Sequence, residues 1–174
     1  VMDVLILDFA GAERGFRLRL GEFIDLEEAC GTGMGVLYQR FATTSYFASD
    51  VMNVLLRGLV GGGMKAVDAK PLVEKQMNSK PLMELAAVAT DVILQAMSGI
   101  APDDTTPDGD LDQTIDKGAL FHSFAQVGLS PDQVREMRYA DFVALIRAAG
   151  GKDVQPPSED EFADMLRDWE DRQG

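Results

Sequence analysis

Residues 27–41 read EEACGTGMGVLYQRF, and the glycines at alternate positions, Gly31, Gly33 and Gly35, decide what kind of fold this chain has. If they open a phosphate loop, the fold is a parallel α/β sheet, because that loop needs a buried strand before it and a βαβ unit around it. If they only separate two helices, the chain is built of helices. The residues ahead of them, GEFIDLEEACG at 21–31, set Phe23, Leu26 and Cys30 on one helical face with acids between. Gly31 then falls where a helix C-cap needs a left-handed residue. No Walker-type Lys-Ser/Thr follows and no parallel-sheet strand comes after. The glycines are read as a helix stop and a tight turn, and the fold as helical.

Working outward, the chain opens with two β-prone runs, DVLILDF and GFRLRLG, separated by AGAERG, which predicts a β-hairpin. Phe16, Leu18 and Leu20 alternate with Arg17 and Arg19, giving the second strand one apolar face. That second strand, about 14–20, is also an edge that could pair between chains. After the glycines, Leu37, Tyr38 and Phe41 mark a short helix, and SDVMNVLLRGLVGGG marks another, with Ser49 as N-cap and GGG at 61–63 as its end. A short helix is expected near 69–77. In KPLMELAAVATDVILQAMSG, Pro81 suits a first turn, and the surface from Leu82 to Met97 is so widely apolar that this helix is expected to form the core of the first unit. Residues 101–113, APDDTTPDGDLDQ, have the composition of a Pro/Asp linker. Helical pattern resumes in 114–174, with Ser130-Pro131 as a helix start and a last amphipathic helix from about Glu159 to Arg172. The expected architecture is mainly α with a small N-terminal hairpin (α+β): a helical bundle at 1–100, the linker, and a smaller helical region at 114–174.

The net charge of −13 is unevenly spread. Residues 1–100 hold 12 acids and 9 bases, net −3; residues 101–174 hold 17 acids and 7 bases, net −10. So acidic a chain repels phosphate backbones, which argues against nucleic-acid binding and for a basic partner or simple solubility. One cysteine (Cys30) and one histidine (His122) leave no internal disulfide and no Cys/His zinc set. No apolar run approaches the ~18 residues of a membrane span. The opening VMDVLILDF has no basic region or cleavage site of a secretory leader, so an intracellular protein is expected.

Candidate chemistry is sparse. Setting Gly109 at the invariant glycine of a calcium loop puts Asp104, Thr106, Asp108, Asp110 and Asp112 at ligand positions, but Ile115 stands where a bidentate glutamate belongs. A solvated linker is the simpler reading. His122, between Phe121 and Phe124, has no nucleophile or orienting carboxylate in its pattern and reads as a partly buried structural residue. Cys30 closes an apolar face and reads as a packed, inert thiol. No catalytic constellation emerges, no cofactor or metal is expected, and the chain is read as a binding protein rather than an enzyme. Its nine methionines suit either core gaps or adaptable surfaces. The apolar faces offered as partner-binding are Phe121, Phe124, Phe142 and Leu145, with Phe162, Met165 and Trp169 on the last helix. That last helix either docks back or finds another chain.

Three stretches, FRLRLGEFIDLEEACGTGMGVLYQRF, SDVMNVLLRGLVGGG and KPLMELAAVATDVILQAMSG, resemble the small tail proteins of gene transfer agents and related siphophages across about 14–99. That family is grouped with the phage tail assembly chaperones, although it has also been labelled a tail tube protein. AQVGLSPDQVREMRYADFVALIRAAG is similar to a second short tail chaperone type, with Arg135 and Met137 in the region where that type often carries tryptophan. The resemblance implies a non-enzymatic chaperone that keeps the long, helical tape measure protein soluble and helps tail tube subunits assemble around it. It places the protein in the host bacterial cytoplasm during assembly and outside the mature virion, with a homo-oligomer open. The alternatives are a structural tail tube or tail-associated virion protein and, from another class, a small calcium-binding protein.

Overall fold

Ala10 and Gly11 reverse the chain with left-handed φ values of 56° and 77°, and this two-residue turn sets the register of everything N-terminal to α1. Strand β1 (Leu5–Phe9) pairs antiparallel with β2 (Ala12–Phe16), Phe9 opposite Ala12 and Leu5 opposite Phe16. Left-handed φ at both central positions matches the twist of the strands. The turn is therefore shorter than AGAERG suggests, and β2 begins earlier and ends at Phe16. Leu18 and Leu20 keep the alternation and are buried, but Leu20 already opens the first helix.

The computed structural model describes residues 4–98, 117–126 and 128–150, excepting the side chains of 146–150. It is mainly helical with this one hairpin, an α+β chain. Five helices follow β2: α1 (Leu20–Cys30), α2 (Met34–Ala42), α3 (Ala48–Gly61), α4 (Ala66–Ser79) and α5 (Leu82–Met97). After the Pro/Asp stretch come α6 (Lys117–Gln126), α7 (Pro131–Arg135) and α8 (Tyr139–Gly150). Residues 1–143 form one compact unit and residues 144–174 a second.

The central helix is α3, not α5. It packs against α1, α4, α5 and β2 and buries Val51, Val54, Leu55 and Leu59 completely. Its charged residues do not disqualify it, because each has an internal partner. Asp50, 1% exposed, pairs with Arg40 at 3.2 Å and accepts the Phe47 N–H at 2.9 Å. Asp50, rather than Ser49, therefore satisfies the start of this helix, whose N-cap position is Phe47. Arg57 reaches Asp25 on α1 at 3.8 Å. A buried charge is tolerated only when paired in this way.

The end of α3 is wedged against β2. Arg17 N–H donates to Gly58 O at 2.9 Å. A Cβ on Gly61 would lie 2.1 Å from Arg17 O, and one on Gly62 would lie 2.0 Å from Gly15 O. Two main chains touch here, so the glycines in GLVGGG are a contact surface as much as a helix stop. The outer edge of β2 is thereby covered, and the strand at 14–20 is not the open edge that its pattern suggests.

Two apolar clusters meet at α1. Phe23 and Leu26 join the main core with α2–α5 and the hairpin, where Phe9 and Phe16 pack edge to face at 5.6 Å. Leu20 and Ile24 face a second cluster with Leu120, Phe124 and Val134. Leu20 N–H donates to Met137 O at 2.9 Å, and Arg135 reaches Asp25 at 3.1 Å. Ser130 caps α7 as its sequence suggests: its hydroxyl accepts the Gln133 N–H while the Gln133 side chain accepts the Ser130 N–H. The residues of 117–143 that pack on α1 thus share a unit with the first hundred.

Candidate interaction surface

The glycine turn between α1 and α2 carries its own anion. Gly31 caps α1 in the left-handed conformation, φ 65°, with its N–H on Glu27 O. The Glu27 carboxylate, 5% exposed, accepts the Met34 N–H at 3.0 Å at the start of α2. Helix N-termini bind anions through such N–H groups. Glu27 holds that position, and Thr32 beside it is buried.

Cys30 is half-buried against the main core, its Sγ 4.0 Å from the Asn53 amide. Burial first, and then the nearby Asp50 charge, push its thiol up to about 12. Burial, and then Glu27, likewise raise Tyr139. An unfolded thiol ionises near about pH 8.5, so between there and 12 the unfolded chain binds fewer protons and stability falls as pH rises. Urea midpoints compared at about pH 8 and about pH 10.5 should drop for the wild type and drop less for Cys30→Ala. An equal drop in both would remove Cys30 as a cause.

His122 is exposed rather than partly buried. Leu120 and Phe124 take the core-facing side of α6, which turns His122 outward to within 3.2 Å of the Gln126 amide. Ser123 bonds back to Ala119 O and not to the imidazole. Among the described residues no group of three or more His, Cys, Asp or Glu could hold a metal ion. The 104–115 stretch lies outside the described residues. A cleft lined by Arg17, Arg19, Arg138, Gln95 and Ser98 is basic, but Arg17 pairs with Glu136, and Arg138 makes two 2.7 Å bonds to Asp141. Among the described helices none is long and apolar enough to cross a membrane.

The residues read from sequence as partner-binding separate. Phe124 is buried in the second cluster, and Phe121 and Phe142 are half-buried against it. Leu145, in the second unit, is 43% exposed. Phe162, Met165 and Trp169 lie outside the described residues. An open apolar stripe lies instead on α5, a helix whose other side is in the core as its composition suggests. One side of α5 buries Leu85, Ala86, Ala89, Val92 and Ile93. The other leaves Met83 76% and Leu94 48% exposed, with exposed Ala87 between them at helical spacing and Glu84 and Asp91 alongside. Met34 is buried, and Met52, Met64, Met77 and Met97 fill gaps at the core edge. Met83 is the outward exception. The signal for this stripe was present: a helix apolar nearly all round needs cover on every side, and the main packing partners of α5, namely α2, α3, α4 and β1, leave this stripe open.

Residues 5–99, more than half of the chain, match the family described as "Phage tail tube protein, GTA-gp10". The chain belongs to this family. The match runs from β1 through the end of α5, so the hairpin, the glycine wedge and the α5 stripe all lie in the family region. This is a phage or gene transfer agent tail protein. No curated protein and no solved structure matches the chain.

Proposed function

We propose that this tail protein is an assembly chaperone that binds the tape measure protein, keeps it soluble and assists tail tube assembly, acting by binding rather than catalysis. The observation that carries the reading is the α5 stripe. Met83, Ala87 and Leu94 form an apolar rail at the spacing that accepts an amphipathic helix, with Glu84 and Asp91 placed to meet basic residues on that helix. The net charge of −13 would keep such a complex dispersed. The site of action would be the host cytoplasm during assembly. Co-expression with the tape measure protein of the same particle, followed by size exclusion of the soluble fraction, tests this. A comigrating complex, with tape measure insoluble when made alone, is the expected result. Tape measure that stays insoluble in the presence of the chain would overturn it.

A second reading, a structural tail tube subunit, is favoured by the family description itself. A tube wall built of continuous sheet needs more strand than the hairpin among the described residues provides. Finding the protein at stoichiometric amounts in mature tails would select this reading.

A further inference from the structure

We infer that the free edge of β1 is a self-association surface, on which a second copy of this chain adds its own β1 antiparallel to form a four-stranded sheet across a twofold axis. The two-residue turn makes Phe9–Ala12 a hydrogen-bonded pair, so Leu7–Arg14 and Leu5–Phe16 are bonded pairs too. The N–H and C=O groups of Val4, Ile6 and Asp8 therefore point away from β2. On β2 the equivalent outward residues, Gly15 and Arg17, lie against Gly62 and Gly58 at the end of α3. Among the described residues, nothing hydrogen-bonds to the outward groups of Ile6 or Asp8. A cavity of about 340 Å³ lies at the Asp8 end of this strand, between the hairpin tip and Lys80, Glu84 and Val88.

The sequence of the edge selects its occupant. Soluble proteins guard such edges with charged residues (lysine above all), proline or a bulge. Val4–Phe9 has no lysine, proline or bulge; its one charge, Asp8, stands near the turn, and Ile6 is 52% exposed. Sliding two copies past each other, the register with Ile6 on the axis pairs all three outward positions: Ile6 with Ile6 of the second copy, and Val4 with its Asp8 in both directions. Leu5 then faces Leu7. No like charges are opposed, and the most exposed apolar side chain of the hairpin is covered by its own symmetry mate. Shifting the register to bring Asp8 opposite Asp8 loses pairs and adds repulsion.

The test uses the full chain alone, so its outcome is independent of whether the tape measure protein is a client. Light scattering after size exclusion, at about 1 to 100 µM, should give twice the 18.9 kDa chain mass for the wild type at the upper end. Ile6→Lys and Ile6→Glu should each be monomeric, because each opposes like charges on the axis, with unchanged circular dichroism. Mixed in equal amounts, the two variants should recover the dimer as a heterodimer. A wild type that is monomeric throughout, a dimer that survives Ile6→Lys, or a mixture that stays monomeric would each overturn the inference.

Discussion

Gly61→Ala and Gly62→Ala are each expected to cost about 3 kcal/mol or more, lowering Tm on the order of 10 °C. The reason is what the new methyl would meet. At Gly61 it is the carbonyl oxygen of Arg17 at 2.1 Å, and at Gly62 that of Gly15 at 2.0 Å. Both are main-chain atoms, held by the hairpin register and by the Arg17–Gly58 hydrogen bond, so they cannot swing aside as a side chain would. Relief requires the strand to lift from the helix, which breaks that bond and uncovers Phe16. Gly58→Ala is the control. Its Cβ would meet only the Phe16 ring at 3.0 Å and the Val92 methyl at 3.2 Å, and alanine is the better helix former by about 1 kcal/mol. Thermal melts of the three variants should separate by this contrast. If Gly62→Ala melted within a few degrees of the wild type, the wedge between β2 and α3 would not matter as argued.

The second large effect concerns binding. Met83→Glu with Leu94→Glu should leave the fold intact, since both side chains point outward, yet weaken a helical client about 100-fold. Burying each apolar side chain contributes about 1.5–3 kcal/mol, and a carboxylate in the same place would add a desolvation cost. Val67→Glu provides the comparison, because Val67 is 77% exposed on α4 and lies off the stripe. Titration of a labelled tape measure segment should register the double variant and not Val67→Glu. Equal binding by both would move the client site away from α5.

How much of this was legible in the sequence depends on how local the cause is. The glycine turn after α1 was readable because a left-handed cap and a missing strand are both local signals, and Gly31 has the expected φ. The Ser130 cap was readable for the same reason. The hairpin was readable in kind but not in extent, because Ala10 takes a left-handed conformation usually left to glycine or asparagine. That α3 is more central than α5 was not readable, although α5 does contribute to the core. Asp50 and Arg57 look like solvent-facing residues until Arg40 and Asp25, distant in sequence, are seen to answer them. For the same reason Phe121, Phe124 and Phe142 looked available for a partner. They belong to a cluster with Leu20 and Ile24 of α1 and Val134 of α7, and no periodicity within α6 or α8 discloses that.

The two-sidedness of α1 bears on what an abbreviated chain would be. Leu20 and Ile24, 0% and 1% exposed, cluster with Leu120, Phe124 and Val134, which come back to them from beyond the Pro/Asp stretch. A product ending near residue 100 would retain the hairpin, α1–α5 and the whole family region, yet present this flank of α1 bare. It should bind a hydrophobic dye that the full chain ignores, and equal dye binding by the two would show that the flank finds another cover. The later helices would then act as a built-in lining, and a cell making both lengths from one reading frame would hold an adhesive form and a sealed form of the same protein.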